Sequence, residues 1–278
     1  MRKVKLPNFR FPTRKINNSM SSFIHPTAIV EPGAVIGDDC HIGAFCTIGA
    51  DVRLGTRVHL ESHVVIDGRT SVGDGTRIFP FVSIGHAPQD LKYKGEPTAT
   101  EIGKRNHIRE FVTIHRGTEG GGGLTSIGDD NLLMAQAHVA HDCRIGNEVI
   151  MANAATLAGH VEIADRANVG AYSGVHQFCR VGREAFVGGY SVVVKDALPF
   201  AISQGNHAKC YGMNRIGMKR RGYSKSTIEK LHRAFHLLLS SKLNTTQAVE
   251  RIKNEIADCA EVEYLVDFIE ASQRGVVK

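Results

Sequence analysis

Aliphatic side chains recur at every sixth position over most of this chain. The first run occupies Ile24, Val30, Ile36, Ile42, Ile48, Leu54, Leu60, Ile66, Val72, Ile78 and Ile84. If about a quarter of all positions carried such residues, a run of this length would have a chance on the order of one in a million. A six-residue unit suits a short flat strand followed by a corner, and not a helical turn of about 3.6 residues.

The same repeat resumes after two insertions. Residues 85–101 interrupt it, and an insertion containing residues 120–123 later shifts its phase by one residue. The resumed positions are Ile102, Ile108 and Ile114, then Ile127, Leu133, Val139, Ile145, Met151, Leu157, Ile163, Val169, Val175, Val181, Val187 and Val193. Three units of six close a triangular coil of about eighteen residues, and coils stacked about 4.8 Å apart form a parallel β-helix.

A small residue follows most of the aliphatic residues by four positions, so each hexad specifies one large and one small inward side chain. Small residues of this set are Ala28, Ala34, Cys40, Cys46, Val52, Val58, Val64, Ala137, Cys143, Ala155, Ser173, Cys179 and Ser191. The cysteines are therefore expected to be apolar fillers in a reducing compartment, not zinc ligands or disulfides. Glycines directly after the aliphatic residue are expected to ease the corners: Gly37, Gly43, Gly49, Gly146, Gly170 and Gly182.

Helical signals replace the hexads from Phe200 onward. Ser226 and Glu229 read as a capping box, and apolar residues at helical spacing predict three helices. The expected organisation is an all-β solenoid plus a small α domain. Its parts are a basic, disordered extension at 1–22, a β-helix at 23–200 and a helical domain at 201–278.

The net charge of +6 comes from the N-terminal arm. Residues 1–20 contain six basic residues and no acidic residue, so the rest has 28 of each sign. Such an arm is weak evidence for a nucleic-acid partner, and none is expected. It lacks the apolar region of a secretory signal, and a disordered tail or an early start codon ahead of Met20 is favoured over an organellar presequence. No apolar run is long enough to span a membrane.

Histidines cluster where the repeat is most regular. His141 and His160 are nineteen residues apart, one coil plus one residue, which predicts that they lie close together on successive coils. His138 and His176 belong to the same cluster, and none of the four occupies an inward position. An isolated outward histidine is usually a solvated surface residue. A cluster beside two insertions points instead to a functional site, because interruptions of a regular wall carry function. The Gly120–Gly123 run lacks the Gly-Lys-Ser of a phosphate-binding loop and is expected to be a mobile loop.

Longer motifs carry a more specific resemblance. They are residues 89–93 (QDLKY), 108–110 (IRE), 113–118 (TIHRGT), 130–134 (DNLLM), 137–143 (AHVAHDC), 157–161 (LAGHV), 175–179 (VHQFC), 204–208 (QGNHA) and 217–222 (GMKRRG). Over residues 22–278 the chain resembles the UDP-N-acetylglucosamine 3-O-acyltransferase family of hexapeptide-repeat proteins. The resemblance implies a left-handed parallel β-helix and a homotrimer. Spacing alone leaves the hand open, and the general crossover rule favours the opposite hand.

The resemblance also implies a reaction. A 3-hydroxyacyl group would pass from the phosphopantetheine of acyl carrier protein to the 3-hydroxyl of UDP-N-acetylglucosamine, as the first step of lipid A biosynthesis in the cytoplasm. The family's general base corresponds to His141, and its oxyanion-binding N–H corresponds to Gly159. Asp142 would orient His141, although neighbouring residues of a strand point to opposite faces. No metal, bound cofactor or covalent enzyme intermediate is implied.

The remaining site residues are also taken from the resemblance. Those expected around the nucleotide sugar are Asp90, Lys92, His115, His138, His160, Gln177, Asn214, Arg220 and Arg221. Ile216 departs from the family, which often has an acidic residue near the uridine. Gly189 corresponds to the position that reads acyl-chain length, and a glycine there predicts a long chain of about C14. The basic residues Lys219, Arg220 and Arg221 are also expected to attract the acidic carrier protein.

Other functions stay open at this point. A zinc hydratase of the γ-carbonic anhydrase type would use three histidines, although His138 and His141 are unusually close for that arrangement. The sister N-acyltransferase carries a uridine-binding domain ahead of its coils, for which the hexads starting at Ile24 leave no room. A non-catalytic solenoid would not bind UDP-N-acetylglucosamine, and an ice-binding prism would require regular threonine arrays, which are missing.

Overall fold

The computed structural model describes residues 21–278. The expected disordered extension therefore lies outside the described residues, apart from its last two positions. Ser22 already belongs to the first coil, because its hydroxyl donates to the carbonyl of Gly37 at 2.7 Å and accepts from the backbone N–H of Cys40 at 3.0 Å.

Short parallel strands stack into three sheets, which form the three faces of a prism. The first face contains Phe23–Ile24, His41–Ile42, His59–Leu60, Arg77–Ile78, His107–Ile108, Leu132–Leu133, Ile150–Met151, Asn168–Val169 and Phe186–Val187. The second contains Ile29–Val30, Thr47–Ile48, Val65–Ile66, Ser83–His86, Thr113–His115, His138–Val139, Thr156–Leu157, Gly174–Val175 and Val192–Val193. The third contains Val35–Ile36, Arg53–Leu54, Arg69–Val72, Ala99–Ile102, Leu124–Ile127, Arg144–Ile145, Glu162–Ile163 and Arg180–Val181.

The pairing register confirms the eighteen-residue coil. Ile24 pairs with Ile42, and Ile42 pairs with Leu60. The predicted aliphatic column is buried from Ile42 onward, whereas Ile24 at the N-terminal end of the prism is 44% exposed. The small inward positions are filled as predicted, and the thiols of Cys40, Cys46 and Cys143 also donate to backbone carbonyls of the next coil at 2.9–3.2 Å.

The glycines that directly follow the aliphatic residues do not form the corners, contrary to expectation. The left-handed backbone conformation falls on the third residue after the aliphatic one, for example on Phe45, which has a φ of 58°. Gly43 has no positive φ, and its function is steric. A Cβ there would lie 2.7 Å from the carbonyl group of Glu61 in the next coil. Glycine is therefore needed for close stacking of coils, and the left-handed conformation is adopted mostly by non-glycine residues.

Strand continues beyond residue 200. Ala201–Gln204 pairs with Phe186–Val187 and forms an antiparallel hairpin with Lys209–Met213. The helices follow it: α1 (Arg215–Arg220), α2 (Lys225–Phe235) with a π-turn at His236–Ser240, α3 (Thr245–Glu255) and α4 (Ala260–Glu270). They bury a second apolar cluster, which includes Leu231, Ile252 and Leu265. Within residues 21–278, no helix combines the length and apolar character required to span a bilayer.

The predicted cap of α2 was two residues too late. The side chain of Ser224 accepts from the N–H of Thr227, whereas Ser226 lies inside the helix. Ser224 has the extended backbone that an N-cap requires, with φ of −62° and ψ of 151°. A capping box does occur on α3, between Asn244 and Gln247.

Replacement of a stacking glycine tests this account of the coils. A Cβ at Gly73 would lie 2.6–2.9 Å from backbone atoms of Gly103 and Lys104, so Gly73→Ala should lower the free energy of unfolding by about 1–3 kcal/mol. Gly174 provides the matched control, because its Cβ would meet nothing within 4 Å. Gly174→Ala should change stability by less than about 0.5 kcal/mol in urea unfolding at a fixed protein concentration. Equal effects of the two changes would contradict the steric explanation.

Candidate active site

The three corners of the prism differ in chemistry. The aromatic corner, between the first and second faces, stacks the rings of Phe45, His63, Phe81 and Phe111 with centroids 4.9–5.1 Å apart. The charged corner, between the third and first faces, carries Arg105, Asp130, Glu148, Arg166 and Glu184. The histidine corner, between the second and third faces, carries His141, Asp142, His160, Gln177 and Phe178. Both insertions lie at the histidine corner, where each connects a strand of the second face to a strand of the third.

Asp142 is the centre of the hydrogen-bond network at the histidine corner. Its Oδ1 accepts from the backbone N–H of Thr118 at 2.8 Å, and its Oδ2 accepts from the Thr118 hydroxyl at 2.6 Å. The same Oδ2 lies 2.8 Å from Nδ1 of His141. The carboxylate side chain is 1% exposed, and the His141 side chain is 15% exposed. An ionised carboxylate only accepts hydrogen bonds, so the network assigns the proton to Nδ1 and leaves a lone pair on Nε2.

The alternation of side chains along a strand, which argued against contact between His141 and Asp142, does not hold at this position for a local reason. Both residues lie in a corner and not in a strand, because the strands end at Val139 and resume at Arg144. Asp142 has a left-handed φ of 59°, which removes the alternation of side chains that a strand imposes. Two consecutive residues can therefore meet through their side chains.

The glycine-rich insertion packs on Asp142, which differs from the expected mobile loop. It contains a short 3₁₀ turn at Glu119–Gly121. A Cβ at Gly121 would overlap the Asp142 carboxylate, and a Cβ at Gly117 would lie 2.8 Å from its Oδ1. The glycines allow the insertion to cover the carboxylate and bring Thr118 against it.

Gly159 lies against the ring of His141. A Cβ at this position would lie 2.5 Å from Cε1 and 2.7 Å from Nε2 of His141, so only glycine fits. The Gly159 N–H has no hydrogen-bond acceptor among residues 21–278. Gly159, whose N–H is free, therefore packs against the edge of the ring that carries the lone pair.

The surrounding histidines form a tight group, as the nineteen-residue spacing predicted for two of them. The rings of His141 and His160 meet edge to face with centroids 5.1 Å apart, and His160 stacks on Phe178 at 4.4 Å. On the second face, His115 and His138 have ring centroids 5.1 Å apart, and Nδ1 of His138 lies 2.7 Å from the Thr113 hydroxyl.

These neighbouring imidazoles favour the neutral form. Burial lowers the pKa of His115 to about 4, with a further contribution from the nearby His138. Burial also lowers the pKa of His138, and it lowers that of His160 despite the opposing charge of Asp142. Near neutral pH, these three rings therefore act as hydrogen-bonding groups without a positive charge.

The first insertion carries Asp90 and Lys92 to the same corner. The Asp90 carboxylate accepts from the backbone N–H of Lys92 at 3.0 Å, and its charge acts on His160. Tyr93 holds the insertion through its ring, which lies 5.7 Å from the guanidinium carbon of Arg116. Arg116 thus joins the two insertions.

Other expected site residues lie elsewhere in the chain. Gly189 lies at the aromatic corner. Asn214 is the N-cap of α1, and its amide donates to the carbonyl of Glu184 at the charged corner. Arg221 pairs with Glu148 and Glu184 at 2.9 and 3.1 Å, while Arg220 and Ile216 are exposed.

Two clefts of a single chain lie away from the histidine corner. One cleft of about 500 Å³ lies between the third face and α4, and another of about 520 Å³ lies around Lys195 and Lys278. Neither cleft includes a residue of the histidine corner.

Within the described chain, His141, Asp142 and His160 are a set whose ligand atoms lie within 4.8 Å of one another. Both carboxylate oxygens already accept hydrogen bonds from Thr118, and one also accepts from His141. These hydrogen bonds already occupy several of the carboxylate lone pairs that a metal ion would need.

Sequence reasoning assigned no function to Thr118, Arg116 or Phe178. Thr118 is the last residue of the motif at 113–118, so its position was visible, but its contact with Asp142 spans 24 residues. Phe178 follows His160 by eighteen residues, so the coil period could have placed it beside that ring.

Known proteins resemble this chain in both sequence and structure. A family model described as Udp N-acetylglucosamine O-acyltransferase, domain 2, matches residues 196–277, and the bacterial transferase hexapeptide model matches 21–50, 33–68 and 124–159. LpxA from Acinetobacter baumannii is 46% identical with a TM-score of 0.90. LpxA of Bacteroides fragilis, a UDP-N-acetylglucosamine acyltransferase, is 41% identical with a TM-score of 0.90. An Arabidopsis UDP-N-acetylglucosamine acyltransferase is 32% identical with a TM-score of 0.81. Each comparison covers 92% of this chain and 100% of the other.

These matches also fix the hand of the coil. The prism is a left-handed parallel β-helix, as the resemblance implied.

The neutral histidines predict a pH dependence of stability. His115 has a pKa of about 4 in the folded chain against 6.5 ordinarily, so the unfolded chain binds its proton first as pH falls. Stability should therefore fall between about pH 6.5 and 4, with His115 contributing at most about 1.4 kcal/mol per pH unit.

His115→Asn should reduce this slope, measured by urea unfolding at several pH values. His232→Asn, an exposed substitution in α2, is the control and should leave the slope unchanged. A wild-type slope in His115→Asn would refute the assignment.

Proposed function

This chain belongs to the UDP-N-acetylglucosamine acyltransferase family, and from that premise we propose that it transfers a 3-hydroxyacyl group from acyl carrier protein to the 3-hydroxyl of UDP-N-acetylglucosamine. This O-acyl transfer is the first step of lipid A biosynthesis. One observation carries the proposal at the residue level. His141 is held by a hydrogen bond to Asp142, and Gly159, whose N–H is free, packs against the His141 ring.

His141 is the general base of the proposed reaction. A sugar hydroxyl is a poor nucleophile near neutral pH, so its proton must leave as it attacks the thioester carbonyl. The lone pair on Nε2 of His141 accepts that proton. Asp142 keeps the ring in the required tautomer and stabilises the imidazolium that forms, because its carboxylate receives the Nδ1–H.

The attack converts the thioester carbonyl into a tetrahedral oxyanion. The N–H of Gly159 donates to this oxygen and lies beside the base. Collapse of the intermediate breaks the carbon–sulfur bond, and the proton held by His141 goes to the departing phosphopantetheine thiolate. Atoms and charge then balance without a bound cofactor, and the carrier protein supplies the acyl group.

The nucleotide sugar is proposed to contact His115, His138 and His160 on one side and Asp90 and Lys92 on the other. The three imidazoles favour the neutral form, so they suit hydrogen bonds to sugar hydroxyls. Gln177 lies at the same corner as His160 and adds an amide. Lys92 brings a cation that suits the diphosphate.

A homotrimer completes the proposed site. Asn214, Arg220 and Arg221 belong to the family pattern, yet Asn214 and Arg221 contact the charged corner of their own chain. A second copy would bring its charged corner to the histidine corner of the first. Phe45, Phe81 and Phe111 are 50–58% exposed at the aromatic corner, and burial between copies would remove this apolar surface from water.

Two further parts of the proposal concern the acyl donor: the length of its acyl chain and the binding of its carrier protein. Gly189 leaves its position open and favours a long acyl chain of about C14, while the exposed Lys219 and Arg220 attract the acidic carrier protein. Because Arg221 is paired with Glu148 and Glu184, it contributes less to that attraction. We place the enzyme in the cytoplasm, and its six free thiols fit a reducing compartment.

The test of this function is direct transfer. Protein incubated with UDP-N-acetylglucosamine and 3-hydroxyacyl carrier proteins of several lengths should yield the 3-O-acylated sugar nucleotide by mass, with C14 preferred. His141→Ala should reduce turnover by about two to four decades, because the base is lost. His232→Ala is the matched control and should keep full activity.

Transfer at nearly the wild-type rate by His141→Ala would exclude this base. Stoichiometric zinc together with hydratase activity would replace the proposed reaction with that of a zinc enzyme. A product acylated mainly with short chains would refute only the expectation for Gly189.

If one site takes His141 from one copy and Asn214 from another, two weakly active variants should complement each other. The His141→Ala and Asn214→Asp variants should each be weakly active. The first lacks the base, and the second places a carboxylate near the anionic nucleotide sugar while keeping the α1 cap. When the two variants are co-expressed and form mixed trimers, about a quarter of the sites should combine an intact His141 from one chain with an intact Asn214 from the other. These sites should regain activity. Native mass spectrometry should give three chains, and lack of recovery in confirmed mixed trimers would contradict the shared site.

A further inference from the structure

We propose that Thr118 is a positioning residue that sets the base strength of His141 through Asp142. This inference rests on the proposed function and concerns the same site. It assigns to the second insertion a function in proton transfer, where its sequence suggested only a flexible loop.

Thr118 and His141 share one oxygen atom. The Thr118 hydroxyl donates to Oδ2 of Asp142 at 2.6 Å, and the Nδ1–H of His141 donates to the same Oδ2 at 2.8 Å. The backbone N–H of Thr118 binds the other oxygen at 2.8 Å, so this one residue holds both carboxylate oxygens. The short hydroxyl distance is typical of a charge-assisted hydrogen bond, which is stronger than a neutral one.

Two donors on one oxygen compete for its negative charge. The hydroxyl of Thr118 draws part of that charge away from His141, and so lowers the stabilisation that Asp142 gives to the imidazolium. A base with a weaker hold on its proton releases it more readily to the departing thiolate. Without the hydroxyl, Asp142 would stabilise the imidazolium more strongly, and His141 would be protonated at higher pH.

Burial makes the effect strong. The Asp142 carboxylate is 1% exposed, and Thr118 itself is 9% exposed, so water screens the contact little. Gly117 and Gly121 allow this closeness, since a Cβ at either position would press against the carboxylate. The glycines of the insertion therefore serve the placement of the hydroxyl.

Other charged or titratable groups around His141 are identifiable. His160 is nearest, with its Nε2 3.8 Å from Oδ2 of Asp142. His115 and His138 approach from the second face, and Asp90 approaches from the first insertion. The experiment changes none of these groups, so their contributions remain equal among the variants.

The test is the pH dependence of kcat/KM for acyl transfer. Thr118→Val keeps the shape and the backbone N–H but removes the hydroxyl. It should move the acid limb of the profile to higher pH by ~0.5–1 pH unit. Thr118→Ser restores the donor and should restore the wild-type limb. If Thr118→Val melts below the assay temperature, Thr118→Cys, a weaker donor of similar size, should shift the limb in the same direction by a smaller amount.

Thr125→Val provides the matched control. The Thr125 hydroxyl is also buried beside Asp142. It accepts from the backbone N–H of Asp142, however, and makes no hydrogen bond to the carboxylate. Loss of the Thr125 hydroxyl should lower the stability of the fold without moving the acid limb of the kcat/KM profile. A wild-type limb in Thr118→Val, or equal shifts in Thr118→Val and Thr125→Val, would overturn the inference even if rates fell. Failure of wild-type protein to transfer an acyl group would instead refute the proposed function.

Discussion

The stacking of coils on a continuous aliphatic column is the constraint on which the rest of this structure depends. Each strand donates to and accepts from the coils above and below, so residues eighteen apart meet where no insertion intervenes. The aliphatic column excludes water, and glycine after many aliphatic residues lets backbones approach. Both insertions lie at one corner, where the chain can be extended without breaking the stack.

The corner geometry explains how a regular wall supports an active centre. The third residue after most of the aliphatic ones takes a left-handed backbone, which costs roughly 1–2 kcal/mol for a non-glycine residue. The stacked coils on both sides stabilise that conformation. At Asp142 and His160 it turns the side chains toward their neighbours, so His141 and Asp142 meet although they are adjacent in sequence. A strand would have placed them on opposite faces.

Much of this arrangement could be predicted from periodicity, and the remainder could not. The aliphatic column, the buried cysteines and the approach of His141 to His160 follow from counting residues along coils. The contact between Thr118 and Asp142 depends on the path of an insertion, which has no period to count. The cap at Ser224 depends on local backbone angles, which similar nearby serines do not distinguish. The choice of glycine beside Glu61 reflects backbone crowding that becomes visible only with coordinates.

The distribution of charge supports the proposal that a nucleotide diphosphate binds between copies of the chain. At the histidine corner, His115, His138 and His160 have lowered pKa values and bring no fixed positive charge near neutral pH. Lys92 lies two residues from the acidic Asp90, whose carboxylate accepts its backbone N–H, and the guanidinium carbon of Arg116 lies 5.7 Å from the centre of the Tyr93 ring. The additional cations of the family pattern are at the other end of the chain, near the charged corner. In the proposed reaction, a diphosphate bound beside His141 would therefore gain its remaining counter-charge from the basic segment of a neighbouring copy, so substrate binding would require assembly.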